Sequence, residues 1–443
     1  MFSTTILYIM DENAKIALER QNPWWFGKEF DTGIDRLSWY PWITKYMKAR
    51  EVLLLLGARR TGKSTLVYQI IRNLLNNRIP PEAILFINLD EPLFQSKSKD
   101  PVYLSEIIEY YLAQKKSIPA FYLFIDEIQN HDYWVQTIKT LYDTRKNIKI
   151  ILTGSTSTLL QKEISTRLSG RYFHIIVHPL SFREYLSFKR LQKPSTIEKL
   201  QYFNDYLEFG AFPRVVLEND KDLKQELLRN YFQTIYLKDI IYPNNLRNNK
   251  DVFDLLYFLI SNIGKNFSYS NIAKTLGIAV ETVKEYIGCA ENSYLIYTLT
   301  KYDASVKKQL ANPKKIYCLD TGLVNSLSFR FSENKGRLIE NLVYISLMKE
   351  KKEIYYHREN HECDFLIKEG MKIKHAVQVT LSLKDETSRK REIRGLLEAM
   401  DSYNLKEGLI ITEKEAEIIS LDEKKIVIKP IYEWLDEMES GKG

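Results

Sequence analysis

Four largely apolar runs punctuate the first part of the chain: Val52 to Leu56, Ala83 to Leu89, Phe121 to Ile125 and Ile148 to Leu152, the second and fourth each carrying one polar residue, Asn88 and Lys149. Runs of this length without alternation suit strands covered on both faces, as in a parallel sheet. Each ends abruptly in polar or turn residues: Gly57, then Asp90-Glu91-Pro92, then Asp126-Glu127, then Thr153-Gly154-Ser155. Helical periodicity from Thr65 to Leu75 follows the first run, and the alternation predicts an α/β domain over residues 51–180. Residues 1–50 read as a separate segment, with helices over 11–20 and 38–50 flanking the cluster Asn22-Pro23-Trp24-Trp25-Phe26.

Beyond residue 180 the pattern changes. Ser181 followed by Glu184 has the capping-box spacing and starts a helical stretch over 181–250. Residues 268–287 have apolar Ile272, Leu276, Ile278, Val283 and Ile287 around Gly277, the pattern of a helix-turn-helix. Leu295 to Thr300 and Lys314 to Cys318 read as two strands, completing a winged helix over 251–330. The last domain, 331–443, begins with an amphipathic helix carrying Glu340 and continues with strands at 355–358, 361–367 and 377–380.

A length of 443 residues accommodates several such domains. With 44% hydrophobic and 27% charged residues the chain is globular, neither disordered nor collagen-like. A net charge of +7 permits a polyanionic partner without requiring one. Cys289, Cys318 and Cys363 are scattered without metal-ligand spacing, which suits a reducing compartment. Met1 to Met10 lacks a basic region and meets Asp11 and Glu12 at once, so we expect no secretory leader. No apolar run approaches the roughly 20 residues of a membrane span. The expectation is a cytoplasmic protein with no membrane partner.

The chemistry concentrates where the apolar runs end. Gly57-Ala58-Arg59-Arg60-Thr61-Gly62-Lys63-Ser64-Thr65 fits the phosphate-binding pattern G-x-x-x-x-G-K-[ST] in its required strand-loop-helix setting. Its glycines let backbone N–H groups face phosphate, Lys63 supplies a cation for the β- and γ-phosphates, and the Ser64 hydroxyl suits Mg²⁺. Arg59 and Arg60 hold variable loop positions, where phosphate contact and plain exposure are both open. Asp126, at the carboxyl end of its strand, is the acid expected to hold Mg²⁺ with its water, and Glu127 the residue that orients or deprotonates the attacking water. Thr153 and its neighbours either sense the γ-phosphate or cap a loop. For the Trp24-Trp25-Phe26 cluster two readings compete: a stacking platform for adenine, and a hydrophobic plug for the sheet.

The set GARRTGKST, FYLFIDE, ILTGSTS, LSGR, HPLSFREYL, GAFPRVV and YLKDI resembles prokaryotic, especially archaeal, AAA+-type ATPases that carry a C-terminal domain of unknown function. The resemblance runs nearly end to end. It implies a P-loop NTPase core, a helical lid, a winged helix and a domain related to restriction endonucleases, with ATP and Mg²⁺ as cofactors. It further implies that Asn88 is the polar partner that switches Glu127, and that Gly210 and Pro213 approach the nucleotide from the lid. Ala211 stands where a second glycine is usual, and Arg214 is a candidate sensor arginine. Arg171 resembles an arginine finger acting across a subunit boundary in a homo-oligomer, with an internal salt bridge as the alternative.

Two further expectations concern nucleic acid. Thr282 and Lys284 on the second helix of the pair, with Lys307, Lys308, Lys314 and Lys315 near the wing tip, form the candidate DNA face, although Glu281 and Glu285 on the same helix repel phosphate. In the last domain Asp364 stands where a nuclease of the implied type needs an acid, but Gln378 replaces the second carboxylate and Thr380 the lysine. Gln378 gives Mg²⁺ only a neutral oxygen, so cleavage is not expected. The basic run Ser388 to Arg394 reads as a phosphate-tracking face or as solvated helix. The leading expectation is a DNA-associated ATPase. The alternative is a STAND-like nucleotide-gated switch with protein partners.

Overall fold

The computed structural model describes residues 11–115, 118–159, 168, 170–191, 194–327, 335–421 and 423–439. The first ten residues and Ser169 of the LSGR motif therefore lie outside the described residues. The chain divides into two compact units, Met1–Val177 and His178–Gly443.

In the first unit, strands β1 (Val52–Leu56), β2 (Ile84–Asn88), β3 (Phe121–Asp126), β4 (Ile148–Gly154) and β5 (Tyr172–Ile176) form a parallel sheet in the order β2-β3-β4-β1-β5. Every residue of β1 is buried, as an unbroken apolar run in the sheet interior requires. The register pairs Leu56 with Gly154 and Asn88 with Asp126, which brings the polar ends of the runs to one carboxyl edge. β4 runs two residues further than its apolar run, because Thr153 and Gly154 keep the extended pairing with β1.

Helix α1 (Glu12–Gln21), capped by Asp11, lies against the edge strand β2. An edge strand carries unpaired backbone groups, and here side chains satisfy them. Asn22, fully buried, donates to the Phe86 carbonyl at 2.8 Å and accepts the Phe86 N–H at 2.7 Å. Gln21 accepts the Asn88 N–H at 2.8 Å, and the Trp24 and Trp25 indoles both donate to the Ile84 carbonyl. Trp24 packs into the core beside Phe30 and Phe86, and Trp25 stacks on Tyr111 with ring centroids 4.9 Å apart. Trp24 and Trp25 thus plug the sheet, and the adenine-platform reading of these two residues is corrected, while Phe26 is exposed. The helix expected over 38–50 is shorter: a 3-10 turn Leu37–Trp39 leads into α2 (Tyr40–Met47), whose first turn contains Pro41.

The second unit opens with the helix Phe182–Phe188, and Ser181 and Glu184 form both halves of the expected capping box. Further helices span Thr196–Phe209, Pro213–Leu217 and Lys221–Ile235, the last running into a π-helical turn Tyr236–Ile241. The helix Asn249–Ile260 then precedes β6 (Asn266–Phe267), the helices Tyr269–Leu276 and Val280–Asn292, and strands β7 (Ile296–Thr300) and β8 (Lys314–Cys318). These strands form an antiparallel sheet in the order β6-β8-β7. Gly277, at φ +69°, ends the first helix of the pair in the left-handed region that glycine adopts without strain.

The C-terminal strands β9 (Glu353–Arg358), β10 (Glu362–Glu369), β11 (Lys372–Val379), β12 (Glu407–Thr412), β13 (Glu417–Leu421) and β14 (Lys424–Pro430) form a mixed sheet in the order β13-β14-β12-β11-β10-β9. β11, β12 and β14 are parallel and the other pairs antiparallel. The helices Lys335–Lys349 and Glu386–Ser402 both pack on β11. Between β8 and the first of these, buried Asp320 accepts the Ala211 N–H at 2.7 Å and the Leu323 N–H at 3.2 Å. A Cβ at Gly210 would lie 1.9 Å from the Asp320 carboxylate, so that close approach requires glycine.

Candidate functional site

The loop between β1 and α3 (Lys63–Asn76) turns through three positive φ values: Gly57 at +140°, Arg60 at +68° and Gly62 at +95°. A Cβ on Gly57 would come within 2.3 Å of the Val177 carbonyl, which explains glycine at that end. Gly62 precedes α3 and offers no side chain to cap it, so the first-turn N–H groups of Lys63, Ser64 and Thr65 have no intrahelical acceptor. With the positive end of the helix dipole, that donor set fits a polyphosphate. The Lys63 ammonium is buried and donates to the Gly57 and Ala58 carbonyls at 2.9 and 3.0 Å, and the Thr61 hydroxyl donates to Ala58 at 3.0 Å.

A strap that no motif announced braces this loop. Buried Arg36 donates to the Thr61 carbonyl at 2.8 Å, and fully buried Gln69 on α3 donates to the carbonyls of Thr32 and Ile34 and accepts the Arg36 N–H. The only sequence signal was a polar residue at a buried position of an amphipathic helix.

Opposite the loop, the carboxyl ends of β3 and β4 converge. Ser64 Oγ donates to Asp126 Oδ2 at 2.7 Å, Thr153 Oγ1 donates to Asp126 Oδ1, and the Glu127 N–H donates to Thr153 Oγ1 at 3.0 Å. One threonine hydroxyl therefore ties both acids to the end of β4. Burial, followed by the neighbouring Glu127 charge, raises the Asp126 pKa, while the bonds from Thr153 and Ser64 and the Lys63 charge act in the opposite sense. Two hard oxygens 2.7 Å apart, one hydroxyl and one carboxylate, fit the oxygen preference of Mg²⁺. Glu127 lies at φ +53°, a backbone conformation that costs about 1–3 kcal/mol for a non-glycine residue and turns the chain sharply after the strand. Its carboxylate meets the Arg59 guanidinium at 3.9 Å and the side-chain amide of Gln129, which also donates to Ser155 Oγ at 3.0 Å.

Other residues named from the sequence stand elsewhere. Arg60 is exposed, and the Thr65 methyl lies beneath Gly33. Asn88 sits at the same sheet edge, but its side-chain oxygen accepts the Asp90 N–H at 2.9 Å. Arg171 pairs with Asp143 at 3.3 Å and covers the Tyr142 ring, so the internal salt bridge is present. Pro213 occupies the first turn of its helix in the second unit.

Lys315 requires a correction. It does not belong with the wing cations, because its side chain is 1% exposed and its ammonium bonds Glu340 at 3.0 Å, Glu362 at 2.8 Å and Asp364 at 2.8 Å. β8 turns this residue inward, onto the helix Lys335–Lys349 and β10. Asp364 also accepts the Val379 N–H, and Gln378 accepts the Asp364 N–H at 3.1 Å and donates to Glu392 at 2.5 Å. Tyr317 donates to Glu340 at 2.7 Å. Thr282 is half-buried, Lys284 pairs with Glu281 at 3.3 Å, Lys314 lies over the Tyr269 ring, and Lys307 and Lys308 are exposed. In the basic run, Arg389 pairs with Glu417, Lys390 with Glu386 and Arg391 with Glu392. Buried His357 contacts Glu398 and Tyr403, each at 3.2 Å.

A family profile described as an AAA domain matches residues 49–186, and two domains of unknown function, DUF8612 and DUF4143, match residues 200–334 and 335–434. The uncharacterized protein MJ1544 of Methanocaldococcus jannaschii is 34% identical over 409 residues, covering 87% of this chain and 88% of its own length. The chain belongs to the family of that protein and carries an AAA domain. An uncharacterized protein of Haemophilus influenzae is 28% identical, with 91% of this chain and 98% of its own covered. Among solved structures, the Aeropyrum pernix ORC1 protein in complex with DNA is similar at a TM-score of 0.34 and 10% identity, over 70% of this chain and 96% of that one. The sheet order and the AAA match place residues Val52 to Ile176 in the parallel-sheet fold of AAA domains. No helix among the described residues is long and apolar enough to cross a membrane.

Proposed function

We propose that the chain binds ATP with Mg²⁺ and hydrolyses it to ADP and phosphate. The observation that carries this reading is the convergence of Ser64, Asp126, Thr153 and Glu127 at one sheet edge, directly across from the phosphate loop. The N–H groups at the start of α3 and the Lys63 ammonium hold the polyphosphate. Ser64 and Asp126 would hold Mg²⁺, whose chemistry when bound would be neutralisation of polyphosphate charge. Glu127 takes a proton from the attacking water. Phosphate release should require Mg²⁺, fall to background in Lys63→Ala, and be lost in Glu127→Gln while that variant still binds ATP. Full phosphate release by Lys63→Ala would refute the reading.

The second unit is the output of this site. Residues 181–250 serve as the lid and residues 251–330 as a winged helix, an assignment supported by the order helix, β6, two helices, β7, β8. The domain after it is a nuclease-like scaffold without cleavage activity. Supporting this, an internal ammonium stands among Glu340, Glu362 and Asp364, and Gln378 is already committed to Glu392. DNA contact falls to Lys307, Lys308 and Lys314, with Thr282 and Lys284 beside them. One observation favours a second reading, a nucleotide-gated switch with a protein partner: Lys315 is absent from that face and Lys284 is paired to Glu281. DNA-stimulated turnover with a steep salt dependence supports the first reading. Nucleotide-dependent self-association without any DNA response supports the second, and would give Arg171 a neighbouring site to enter.

A further inference from the structure

We propose that Gln129 is the positioning residue for Glu127, holding the carboxylate at the angle needed to engage the attacking water; the inference rests on the ATPase reading above. Gln129 is two residues past the acid, in the 3-10 turn Ile128–Asn130 that begins where Glu127 takes its left-handed backbone conformation. The same amide nitrogen donates to Glu127 Oε2 and to Ser155 Oγ. Glu127 is therefore held to β4 twice: its backbone N–H through Thr153 and its side chain through Gln129 and Ser155. The Arg59 guanidinium addresses the same oxygen, Oε2, from the phosphate loop. The bond from the Gln129 amide sets the rotation of the carboxylate, and a general base whose plane is fixed loses less entropy on reaching the reactive geometry.

The surroundings preserve the amide's place. A Cβ on Gly154 would lie 3.1 Å from Gln129 Oε1, so the glycine between Thr153 and Ser155 keeps that space open. Gln129 Oε1 is buried without a hydrogen-bond partner. A buried acceptor left unpaired is costly, and such a group at a functional site calls for an explanation. A donor arriving beside Glu127, such as the attacking water, would supply the missing bond.

Arg59 makes the arrangement responsive to nucleotide. It belongs to the loop whose N–H groups face the polyphosphate, and a guanidinium prefers a phosphate at least as well as a carboxylate held at 3.9 Å. When ATP enters, Arg59 turns from Glu127 to phosphate. Gln129 then keeps the glutamate aligned while its Oε2 becomes available to water.

The test compares steady-state ATP turnover of the full-length protein with that of Gln129→Ala, Gln129→Glu and Ser155→Ala, alongside Lys63→Ala. Fluorescent ATP-analogue binding and thermal midpoints are measured for each. Gln129→Ala should lower kcat at least tenfold with KM and analogue affinity within twofold of wild type, and Ser155→Ala should lower kcat in the same sense by a smaller factor. Gln129→Glu keeps the length of the side chain but has no N–H to donate to Glu127 Oε2, so its kcat should fall as in Gln129→Ala with KM unchanged. A purely structural role would lower the thermal midpoint and raise KM together with any fall in kcat; that outcome overturns the proposal. Lys63-dependent turnover that Gln129→Ala leaves within twofold of wild type also overturns it, with the ATPase reading intact. If wild type shows no Lys63-dependent phosphate release, the ATPase reading and this inference fall together.

Discussion

Replacing Lys315 with methionine should destabilise the second unit strongly and in a pH-dependent way. The substitution keeps an unbranched side chain but removes an ammonium that bonds three carboxylates at 2.8–3.0 Å. Glu362 is partly exposed, and solvent will screen it. Asp364 is buried and the Glu340 side chain is only 12% exposed, and breaking such an ion pair by deleting one partner costs about 3–5 kcal/mol, because a desolvated charge is left unpaired. Burial already raises the Glu340 pKa to about 7, against the opposing pull of Lys315. Without the ammonium the folded-state value must rise further above that of the unfolded chain. The folded state then keeps the proton to higher pH, so the penalty is smallest below about pH 7 and grows as pH rises from about 7 toward that higher value. Urea denaturation of wild type and Lys315→Met at pH 8 and pH 5, followed by circular dichroism, reads this directly. Adding Glu340→Gln and Asp364→Asn to Lys315→Met should recover much of the loss at pH 8, since the neutral amides need no counter-ion. A loss below about 1 kcal/mol at pH 8, or no recovery in the triple variant, would refute the buried-charge account.

Two shorter predictions concern other buried polar groups. Asn22→Ala removes both side-chain bonds to Phe86 and should lower the stability of the first unit by about 2–3 kcal/mol, measured by denaturant titration, with self-association increasing as the β2 edge opens. Asp320, whose pKa is raised to about 6 by burial, binds its proton more tightly folded than unfolded. Its contribution to stability should therefore decline as pH rises from about 4 to about 6 and stay constant above, and Asp320→Asn should flatten that segment of the stability–pH curve.

What could be read from the sequence, and what could not, follows from how each signal is encoded. The phosphate loop and the Asp126-Glu127 pair were legible because their chemistry requires residues adjacent in the chain, at the end of a strand that its own apolar run announces. The aromatic cluster was ambiguous, since a tryptophan that stacks on a base and one that packs on Tyr111 look alike in one dimension. Lys315 was misplaced because alternation along β8 turns successive residues to opposite faces, and only the partners across the sheet decide which face is inward. Gln129 and the Arg36 strap carry no local signature. Their roles lie in contacts with Ser155 and Thr61, positions 26 and 25 residues distant along the chain.

The stretch from Lys315 to Gly322 has a mechanical meaning. Within these positions it is fastened to three different elements: Lys315 to Asp364 on β10, Lys315, Tyr317 and Cys318 to Glu340 and Asn341 of the helix Lys335–Lys349, and Asp320 to the backbone beside Gly210. These fastenings act in series, like rungs on a single rod, with no slack hinge between them. A push on residues 210–213 therefore reaches β8 and the helix Lys335–Lys349 without first being absorbed by a flexible linker. Residues 210–211, β8 and the helix Lys335–Lys349 should respond to such a load together.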